Sequence, residues 1–405
     1  MSEASSQILP ALNGFASWLD GNGELSWDHQ SYFGGPIGSR AKALYYRHKL
    51  LGTAAVAPMI FSEAFVPSAR RLFHKPMRFP IADAHYAMGF SFLHQTTGDQ
   101  KYFERSSHFL DVLAQTRCKG LEEYGWGYPF DWVTRNGTLF EHTPLITTLP
   151  YVYEAFLQAY RIDPRPQWKL ILESIIRHAS NDYRDEPTSD TASSCTYTPT
   201  EGTGVINSSA YRSFLLTSAA KEFPEGNHDA DRCWQIAQRN LNFVLENQNA
   251  DGSWYYATDG VRDFVDHFHT CFVMKGLAKV HALTGHAACL EALRKGVDYY
   301  LDHLFDPEDG LPKPFSRAPR LTVYTRELYD CAESINLCLL LRDRFSAMGE
   351  KLGTVVNGIL EDWIQPSGCF RARQLKFGWD NVPMHRWGQA QMFRSLAFFH
   401  AEDCS

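Results

Sequence analysis

The stretch HFHTCFVMKGLAKVHALTG, residues 267–285, decides the fold. Apolar and small side chains occupy most of its positions, so they cover all faces of a helix rather than a single stripe. The Thr-Gly pair at its end is a helix stop signal. A helix that is apolar all round has to be covered by neighbours on every side, and this stretch therefore predicts an inner layer of helices.

Segments of the same kind recur along the chain at a spacing near 60 residues. They begin near Asp83, Thr143, Asn207, His267, Cys331 and His385, with successive separations of 60, 64, 60, 64 and 54 residues. A further candidate begins near Arg40. A period of this length indicates repeated copies of one supersecondary unit.

The segments between these repeats carry more charge and show one polar stripe each, which is typical of outer helices. One helical hairpin cannot bury both of its faces, so neighbouring hairpins must stack on one another. The alternation therefore predicts an all-α fold, an (α/α)6 or (α/α)7 toroid of inner and outer helices. An open α-solenoid is the alternative, but its repeats are shorter, at about 33–47 residues.

The domain organisation follows from the absence of a linker rich in Gly or Ser. Residues 1–405 are expected to form a single toroid domain, with residues 1–39 as an irregular N-terminal extension. Residues 182–205, rich in Pro, Thr, Ser and Gly, are the longest irregular stretch and are predicted to form a loop or lid over one mouth of the ring.

Composition excludes several classes of protein. Lys and Arg number 39 against 46 Asp and Glu, a formal net charge of −7, which argues against nucleic acid as a partner. Apolar runs are broken well before the about 20 residues that a membrane span needs. Nine scattered cysteines without a CxxC pair, and an N-terminus without a signal-peptide pattern, predict a cytoplasmic protein with reduced thiols. We expect no cofactor.

The candidate site lies where the long loops lead into the inner helices, because the N-termini of those helices meet at one mouth of such a ring. Polar residues recur at these junctions. One of them alone would be a helix cap, and Asn207 fits an N-cap as well as a ligand contact. The predicted substrate-binding residues are Trp126, Tyr128, Asp131, His142, Asn207, Asp330, Arg371, Arg373, His385 and Arg386.

Two clusters carry acid–base chemistry. The segment Asp266–His269 places two imidazoles beside a carboxylate, which suits a general base near neutral pH. Zinc binding is the alternative there, but no third ligand stands at a clear spacing, and no metal is predicted. The segment Tyr324–Asp330 sets two phenols and two acids around an arginine, which can lower a phenol pKa. The predicted catalytic residues are His267, His269, Tyr324, Tyr211, Asp266 and Glu327.

Basic groups collect near the last inner helix, although the chain as a whole is acidic. Arg371, Arg373, His385 and Arg386 fall within sixteen residues of one another. A guanidinium pairs with a carboxylate through two parallel hydrogen bonds. This set therefore predicts an anionic substrate, whereas ordinary salt bridges are the alternative for each arginine.

The inner–outer repeat, together with GWGYPFDW at residues 125–132 and QNADGSW at residues 248–254, resembles the α/α-toroid carbohydrate enzymes. These include six-hairpin glycosidases, toroid polysaccharide lyases, N-acylglucosamine 2-epimerase and the D-glucuronyl C5-epimerase family. The resemblance covers roughly residues 40–400 and is one of architecture. The second motif also resembles the QW repeat of terpene cyclases, but the DxDD acid motif is absent.

Three functions follow from this resemblance and from the clusters. The first is an enzyme that removes the C5 proton of a uronic-acid residue in a polysaccharide, as an epimerase or a lyase, with His267 or His269 and Tyr324 moving the proton. The second is a glycoside hydrolase with two carboxylates among Asp131, Asp266, Glu327 and Asp330. The third is a non-catalytic glycan-binding toroid. The expected partner is an anionic oligo- or polysaccharide, and a homodimer is a further expectation.

Overall fold

The computed structural model describes residues 3–28, 30–135, 137–223, 225–319 and 322–404. The helices are α1 (Glu3–Asn22), α2 (Ser31–Gly34), α3 (Pro36–Arg47), α4 (Lys49–Phe65), α5 (Arg70–Phe73), α6 (Pro80–Thr97), α7 (Gln100–Gln115), α8 (Leu149–Ile162), α9 (Pro166–Arg177), α10 (Ile206–Glu222), α11 (Ala230–Glu246), α12 (His267–Thr284), α13 (Ala287–His303), α14 (Leu328–Leu341), α15 (Ser346–Gly358) and α16 (Ala390–Cys404). Within these residues, no helix is both long and apolar enough to cross a lipid bilayer.

The strands are short, pair only in antiparallel fashion and lie in the loops. They are β1 (Trp132–Val133), β2 (Thr138–Leu139), β3 (Asp185–Pro187), β4 (Ser193–Cys195), β5 (Val265–Asp266), β6 (Phe315–Arg317), β7 (Tyr324–Glu327), β8 (Arg373–Leu375) and β9 (Trp379–Asp380). Consecutive strands pair two by two up to β6, and the last three form one small sheet in the order β7-β8-β9.

Six helices form a closed inner ring. In ring order they are α6, α8, α10, α12, α14 and α16; each contacts the next, and α16 contacts α6. The outer helices α7, α9, α11, α13 and α15 each pack on the inner helix that precedes them, and α1 packs on α16 as the sixth. The predicted all-α toroid is confirmed, and its order is (α/α)6. The inner helices are buried nearly all round, as the periodicity of their sequences requires.

The prediction that residues 1–39 are irregular is wrong. Residues 3–22 form α1, whose buried side chains Ile8, Leu12, Phe15 and Leu19 follow a helical spacing. These side chains belong to the same hydrophobic core as the inner helices. Helix α1 is ordered because it packs on the outer face of α16 and buries its apolar side chains there.

The candidate repeat near Arg40 does not enter the ring. Helices α3 and α4, residues 36–65, pack on each other as a separate pair that we name the satellite hairpin. A small apolar cluster of Tyr32, Ala41 and Met59 holds this hairpin, apart from the main core. A sevenfold ring is therefore not formed.

Two inner helices begin later than predicted, α8 at Leu149 and α16 at Ala390. Before α16 the chain is kinked over residues 385–389, where Trp387 and Gly388 have non-helical backbone angles and Gly388 has a φ of +128°. A Cβ atom at this position would lie 2.9 Å from the side chain of Leu328, so both the backbone angle and the space require glycine.

Within the predicted loop of residues 182–205, β3 and β4 form a short hairpin, and residues 196–205 continue without regular helix or strand. The backbone N–H of Cys195 donates to Ser209 of α10, and Arg212 of α10 donates to Asp185 at 2.8 Å. Residues 192–196 are buried. This segment therefore reaches the mouth of the ring as a fixed part of its wall.

Candidate functional site

The site is a cavity at the mouth where the inner helices begin, and it encloses about 660 Å³, including its open entrance. Its walls come from the first turns of the inner helices and from the loops before them. The lining residues are Phe79, Pro80, Ile81, Gly127, Tyr128, Thr147, Thr148, Tyr151, Tyr197, Asn207, Tyr211, Phe268, His269, Phe272, Tyr329, Arg386 and Trp387. Aromatic side chains dominate these walls, and none of the lining residues that the structure describes is a carboxylate.

Five residues predicted from the sequence lie in this lining: Tyr128, Asn207, Tyr211, His269 and Arg386. They come from four different loop-to-helix junctions that are distant in the chain. The structure brings them together because each inner helix begins at the same mouth of the ring.

His269 and Asp266 form a hydrogen-bonded pair at the start of α12. The Oδ2 atom of Asp266 lies 2.6 Å from Nδ1 of His269, and its Oδ1 atom accepts the His269 backbone N–H at 2.9 Å. Asp266 is therefore the N-cap of the helix and the orienting partner of the imidazole. A neutral ring that donates from Nδ1 keeps Nε2 as the acceptor, which is the arrangement of a positioned general base.

Asn207 lies in the first turn of α10 and is not its N-cap, a position that Val205 holds. The side chain is buried, and its Oδ1 atom has no hydrogen-bond partner among the described residues. A buried amide oxygen without a partner carries a desolvation cost, which a ligand in the cavity would relieve. This arrangement favours ligand contact over the capping interpretation.

Four of the phenols in the cavity wall have a raised pKa and keep their protons. The hydroxyls of Tyr151 and Tyr211 are 2.7 Å apart, and burial raises the pKa of both well above the usual range. Burial does the same to the pKa of Tyr197 and Tyr329. Such groups act as hydrogen-bond donors or as acids towards a strong base, not as bases themselves.

Arg386 is the cationic group of the lining. Its Nε atom donates to Asp28 at 2.7 Å, whereas its Nη2 atom is buried without a partner among the described residues. The guanidinium lies 4.7 Å from the ring centroid of Tyr128 and 5.3 Å from that of Trp387. Asp28 and the two aromatic rings therefore hold the guanidinium at the cavity, with one nitrogen free for a ligand.

His267 does not line the cavity, which corrects the prediction that it moves a proton. Its Nε2 atom lies 2.7 Å from the Tyr300 hydroxyl, and its Nδ1 atom lies 3.1 Å from the carbonyl of Leu304. Burial lowers the pKa of this imidazole to about 3, so it stays neutral. His267 ties α12 to the outer helix α13 and to the loop after it.

Tyr324 also lies outside the cavity lining, on β7. Arg373 stands 5.3 Å from its ring centroid, but burial and the carboxyl groups of Glu327 and Asp330 raise the pKa of Tyr324 well above the usual range. The expected lowered pKa, and with it the role of base, is therefore wrong. Burial outweighs the neighbouring arginine.

Glu327 and Asp330 are buried behind the cavity and do not reach it. Burial raises the pKa of Glu327 to about 7, and burial together with Glu327 raises the pKa of Asp330 well above its usual range. Among the described residues, neither carboxyl oxygen of Asp330 has a hydrogen-bond partner of ordinary geometry. These two acids therefore form a proton-binding pair inside the wall.

The basic set near the last inner helix is not gathered at the cavity. Arg373 is buried in an ion cluster with Glu63, Arg70 and Asp380, which joins the satellite hairpin to the β7-β8-β9 sheet. Arg371 instead donates to the Asp362 carbonyl and to the Asn381 side chain. Ion pairing explains Arg373, hydrogen bonds to neutral oxygens hold Arg371, and only Arg386 of the predicted set reaches the lining.

His385 is buried beside the cavity, with Nδ1 2.5 Å from the Tyr86 hydroxyl, and burial lowers its pKa to about 4. Trp126 is fully buried and donates from its indole N–H to the Leu113 carbonyl at 2.9 Å. Asp131 and His142 are exposed loop residues outside the lining. These four predicted contacts are therefore structural or peripheral.

Sequence reasoning missed other aromatic residues of the lining at or near the helix starts, including Tyr151, Phe272 and Trp387. A usable signal was present for Trp387, since it adjoins Arg386, which was predicted. Tyr151 was hidden because the helix start was placed at Thr143, six residues too early. Within the described residues, no group of three or more His, Cys, Asp or Glu side chains could hold a metal ion.

No protein-family model matches the chain, and no curated protein matches its sequence. Solved structures do match. The cellobiose 2-epimerase of Bacillus thermoamylovorans B4167 has a TM-score of 0.60 at 10% identity, over 79% of this chain and 87% of that one. The GH76A α-1,6-mannanase of Salegentibacter sp. HEL1_6 has a TM-score of 0.55 at 13% identity, over 81% and 90%.

A polysaccharide lyase is similar to the same extent, with a TM-score of 0.54 at 11% identity over 80% of this chain and 89% of that one. The three solved proteins are carbohydrate enzymes of one architecture with different reactions. At such low identities the likeness establishes the α/α-toroid fold, and the architectural resemblance inferred from the sequence is confirmed.

Proposed function

We propose that the chain is a carbohydrate-active enzyme that removes a proton from the carbon next to the carboxylate of a uronic-acid residue, as a C5-epimerase or a lyase. The observation that carries this proposal is the Asp266–His269 pair in a cavity without lining carboxylates. Such a pair provides one oriented general base. Removal of a proton from carbon requires a base, whereas glycoside hydrolysis requires two carboxyl groups.

The remaining polar groups of the cavity fit the other needs of this reaction. Removal of the proton places further negative charge on the carboxylate, which Arg386 Nη2 and the Nδ2–H group of Asn207 would stabilise by donating hydrogen bonds. Tyr211 is a protonated phenol, and its ring and that of His269 both contact Phe272, at centroid distances of 5.2 and 5.5 Å. It would return a proton to C5 in an epimerase, or protonate the departing oxygen in a lyase.

Glycoside hydrolysis is less well supported. Both stereochemical courses require two carboxyl groups at the glycosidic bond, about 5–5.5 Å apart or about 6.5–9.5 Å apart. Of the candidates, Asp131 lies outside the lining, Asp266 serves His269, and Glu327 and Asp330 are buried in the wall. The epimerase and the lyase among the structural neighbours share the fold with this chain, which is compatible with the proposal.

The test is incubation of the enzyme with a panel of uronate oligosaccharides in D₂O. For an epimerase we expect an inverted product with deuterium at C5 by NMR. For a lyase we expect absorbance from a C4–C5 double bond, whose C5 carries no hydrogen. His269→Ala should lower turnover by about 10²–10⁴-fold, the usual effect of removing one positioned base. Asp266→Asn keeps an oxygen for the helix cap but loses the charge, so it should lower turnover without unfolding the chain.

His142→Ala is the matched control, since this imidazole is exposed and outside the cavity. A product with neither deuterium at C5 nor a C4–C5 double bond, or a His269→Ala variant that turns over at the wild-type rate, would contradict the proposal. Loss of activity in carboxylate variants alone would favour the hydrolase. A cytoplasmic location and a homodimer stay predictions.

A further inference from the structure

Exposed apolar side chains are concentrated in one part of the molecule. Of the fifteen large apolar side chains that are exposed among the described residues, ten lie between Ile37 and Phe73. Leu50 is 88% exposed and Leu72 is 86% exposed. Single exposed apolar residues are ordinary, but a contiguous patch marks a surface that binds something.

Helix α4 of the satellite hairpin carries the centre of this patch. Leu50, Ala54, Ala57, Phe61 and Phe65 are all exposed and follow one another at intervals of four, three, four and four residues. They therefore form one apolar stripe along the helix that faces away from the protein. The Phe61 and Phe65 rings are 4.7 Å apart, and Phe377 of the β8–β9 turn extends the stripe at 6.4 Å from Phe65.

The same region is strongly basic, although the whole chain has a net charge of −7. Between positions 29 and 82 the only acidic residue is Glu63, which is buried in ion pairs with Arg70 and Arg373. The exposed basic residues of this region are Arg40, Arg47, Lys49, Arg71 and Lys75. No acidic side chain of the region is left at the surface to balance them.

We propose that this face, the apolar stripe of α4 with its basic surroundings, docks on an anionic lipid membrane surface. An amphipathic helix binds in the plane of a bilayer when its apolar face enters the headgroup boundary and its Lys and Arg side chains meet anionic lipids. Both features are present in one region of the chain, where the exposed stripe of α4 and the exposed basic residues lie within residues 40–75.

A second copy of the chain fits this face less well. Most homodimers have twofold symmetry, in which a surface patch meets the same patch of its partner. The basic residues would then face one another without any surface carboxylate of the region between them, and like charges across an interface are unfavourable. An anionic bilayer, in contrast, complements the charge and accepts the apolar stripe.

The proposed surface adjoins the cavity. The Lys42 ammonium of α3 lies 3.2 Å from the ring centroid of Trp132, and Trp132 contacts Tyr128 of the cavity wall at 6.2 Å. Chain segment 70–79 runs from the patch to Phe79 in the same wall. A docked molecule would thus hold the wall of its cavity close to the bilayer.

Vesicle flotation of the purified full chain tests the proposal, with phosphatidylcholine vesicles with or without phosphatidylglycerol. We expect binding to the anionic vesicles at low salt, weaker binding as salt is raised, and little binding to phosphatidylcholine alone. The double variant Leu50→Glu/Phe61→Glu should bind at least about tenfold more weakly, because it puts charge into the apolar stripe. Both positions are exposed, so its circular dichroism and Tm should match those of the wild type.

Phe140→Glu/Leu170→Glu is the matched control, since both residues are exposed and lie outside the region. It should bind anionic vesicles like the wild type. The proposal is overturned if the wild type fails to bind them at low salt, or if the patch variant and the control bind equally. A wild-type dimer that the patch variant alone turns into a monomer, without vesicle binding, would assign the face to a second copy instead.

Discussion

Glu327 and Asp330 show how strongly burial changes the pKa of a carboxyl group. Neither residue reaches the cavity, and both are buried close to one another and to Asp266. Two buried carboxyl groups near one another cannot both ionise at low cost, so the folded state holds protons that an unfolded chain would release. The free energy of unfolding should therefore depend on pH through the titration of these two carboxyl groups.

We predict that the free energy of unfolding falls as pH rises from about 4.3, the pKa of an unfolded glutamate, through the folded pKa of Glu327, about 7. The sign follows because the folded state binds more protons than the unfolded state across this interval. Glu327→Gln should flatten this decline and stabilise the protein at pH 8. Urea unfolding at several pH values measures the effect.

The exposed Glu141 provides the control for this prediction, as Glu141→Gln should leave the pH profile unchanged. A Glu327→Gln variant whose stability falls with pH as steeply as that of the wild type would show that Glu327 ionises normally in the folded state.

At the scale of elements, the N-terminal helix completes the last helical hairpin. Helix α1 covers the outer side of α16, although almost the whole chain separates the two in sequence. Phe15 is fully buried between them and stacks on Phe370 and Phe393 at centroid distances of 5.3 and 5.1 Å. The first and last segments of the chain are thereby joined through apolar packing.

We predict that Phe15→Ala lowers the free energy of unfolding by about 3–5 kcal/mol, since it removes a buried aromatic ring and leaves a cavity. Leu25→Ala, at a half-exposed position, should change it by less than about 0.5 kcal/mol. Urea denaturation of both variants makes the comparison. A Phe15→Ala variant as stable as the Leu25→Ala control would mean that α1 contributes little to closing the ring.

At the scale of the whole molecule, the ring and the satellite hairpin differ in how they are held. The main core contains buried side chains of every ring helix, whereas α3 and α4 share a cluster of three buried residues. Local opening is easiest where few buried apolar contacts resist it. The hairpin is joined to the rest of the protein by the ion cluster around Glu63 and Arg70 and by the contact of Lys42 with Trp132.

Native-state hydrogen exchange should resolve this difference. We predict faster amide exchange in residues 49–65 of α4 than in the inner helices α6 and α16, because the hairpin can open while the ring stays closed. Mass spectrometry of peptides after timed exchange measures it. Equal protection of α4 and α6 would instead indicate that hairpin and ring open together.

The fold could be predicted from the sequence because burial on all sides leaves a local pattern. A segment such as residues 267–285 is apolar on every face whatever surrounds it, and its repetition about every 60 residues requires stacked hairpins. The starts of α6, α10, α12 and α14 lie within a few residues of their predicted positions for the same reason.

From the sequence, the candidate site could be predicted only as the set of junctions between long loops and inner helices. The two histidines are separated by one residue and stand in the same local sequence pattern. The pitch of α12 nevertheless directs His269 to the cavity and His267 to the outer helix. Likewise, Arg373 is buried in an ion pair with Glu63, which is 310 residues away in the chain. No local pattern contains such a pairing.

The apolar periodicity of the sequence therefore determined the inner and outer helix layers. This periodicity follows from the geometry of a single helix and from which of its faces must be buried. Closure of the ring by α1, the choice between neighbouring side chains and the pKa of Tyr324 and Glu327 were decided by the tertiary structure alone. The physical reason is that these properties depend on desolvation and on partners brought in from distant segments, which exist only once the chain has folded.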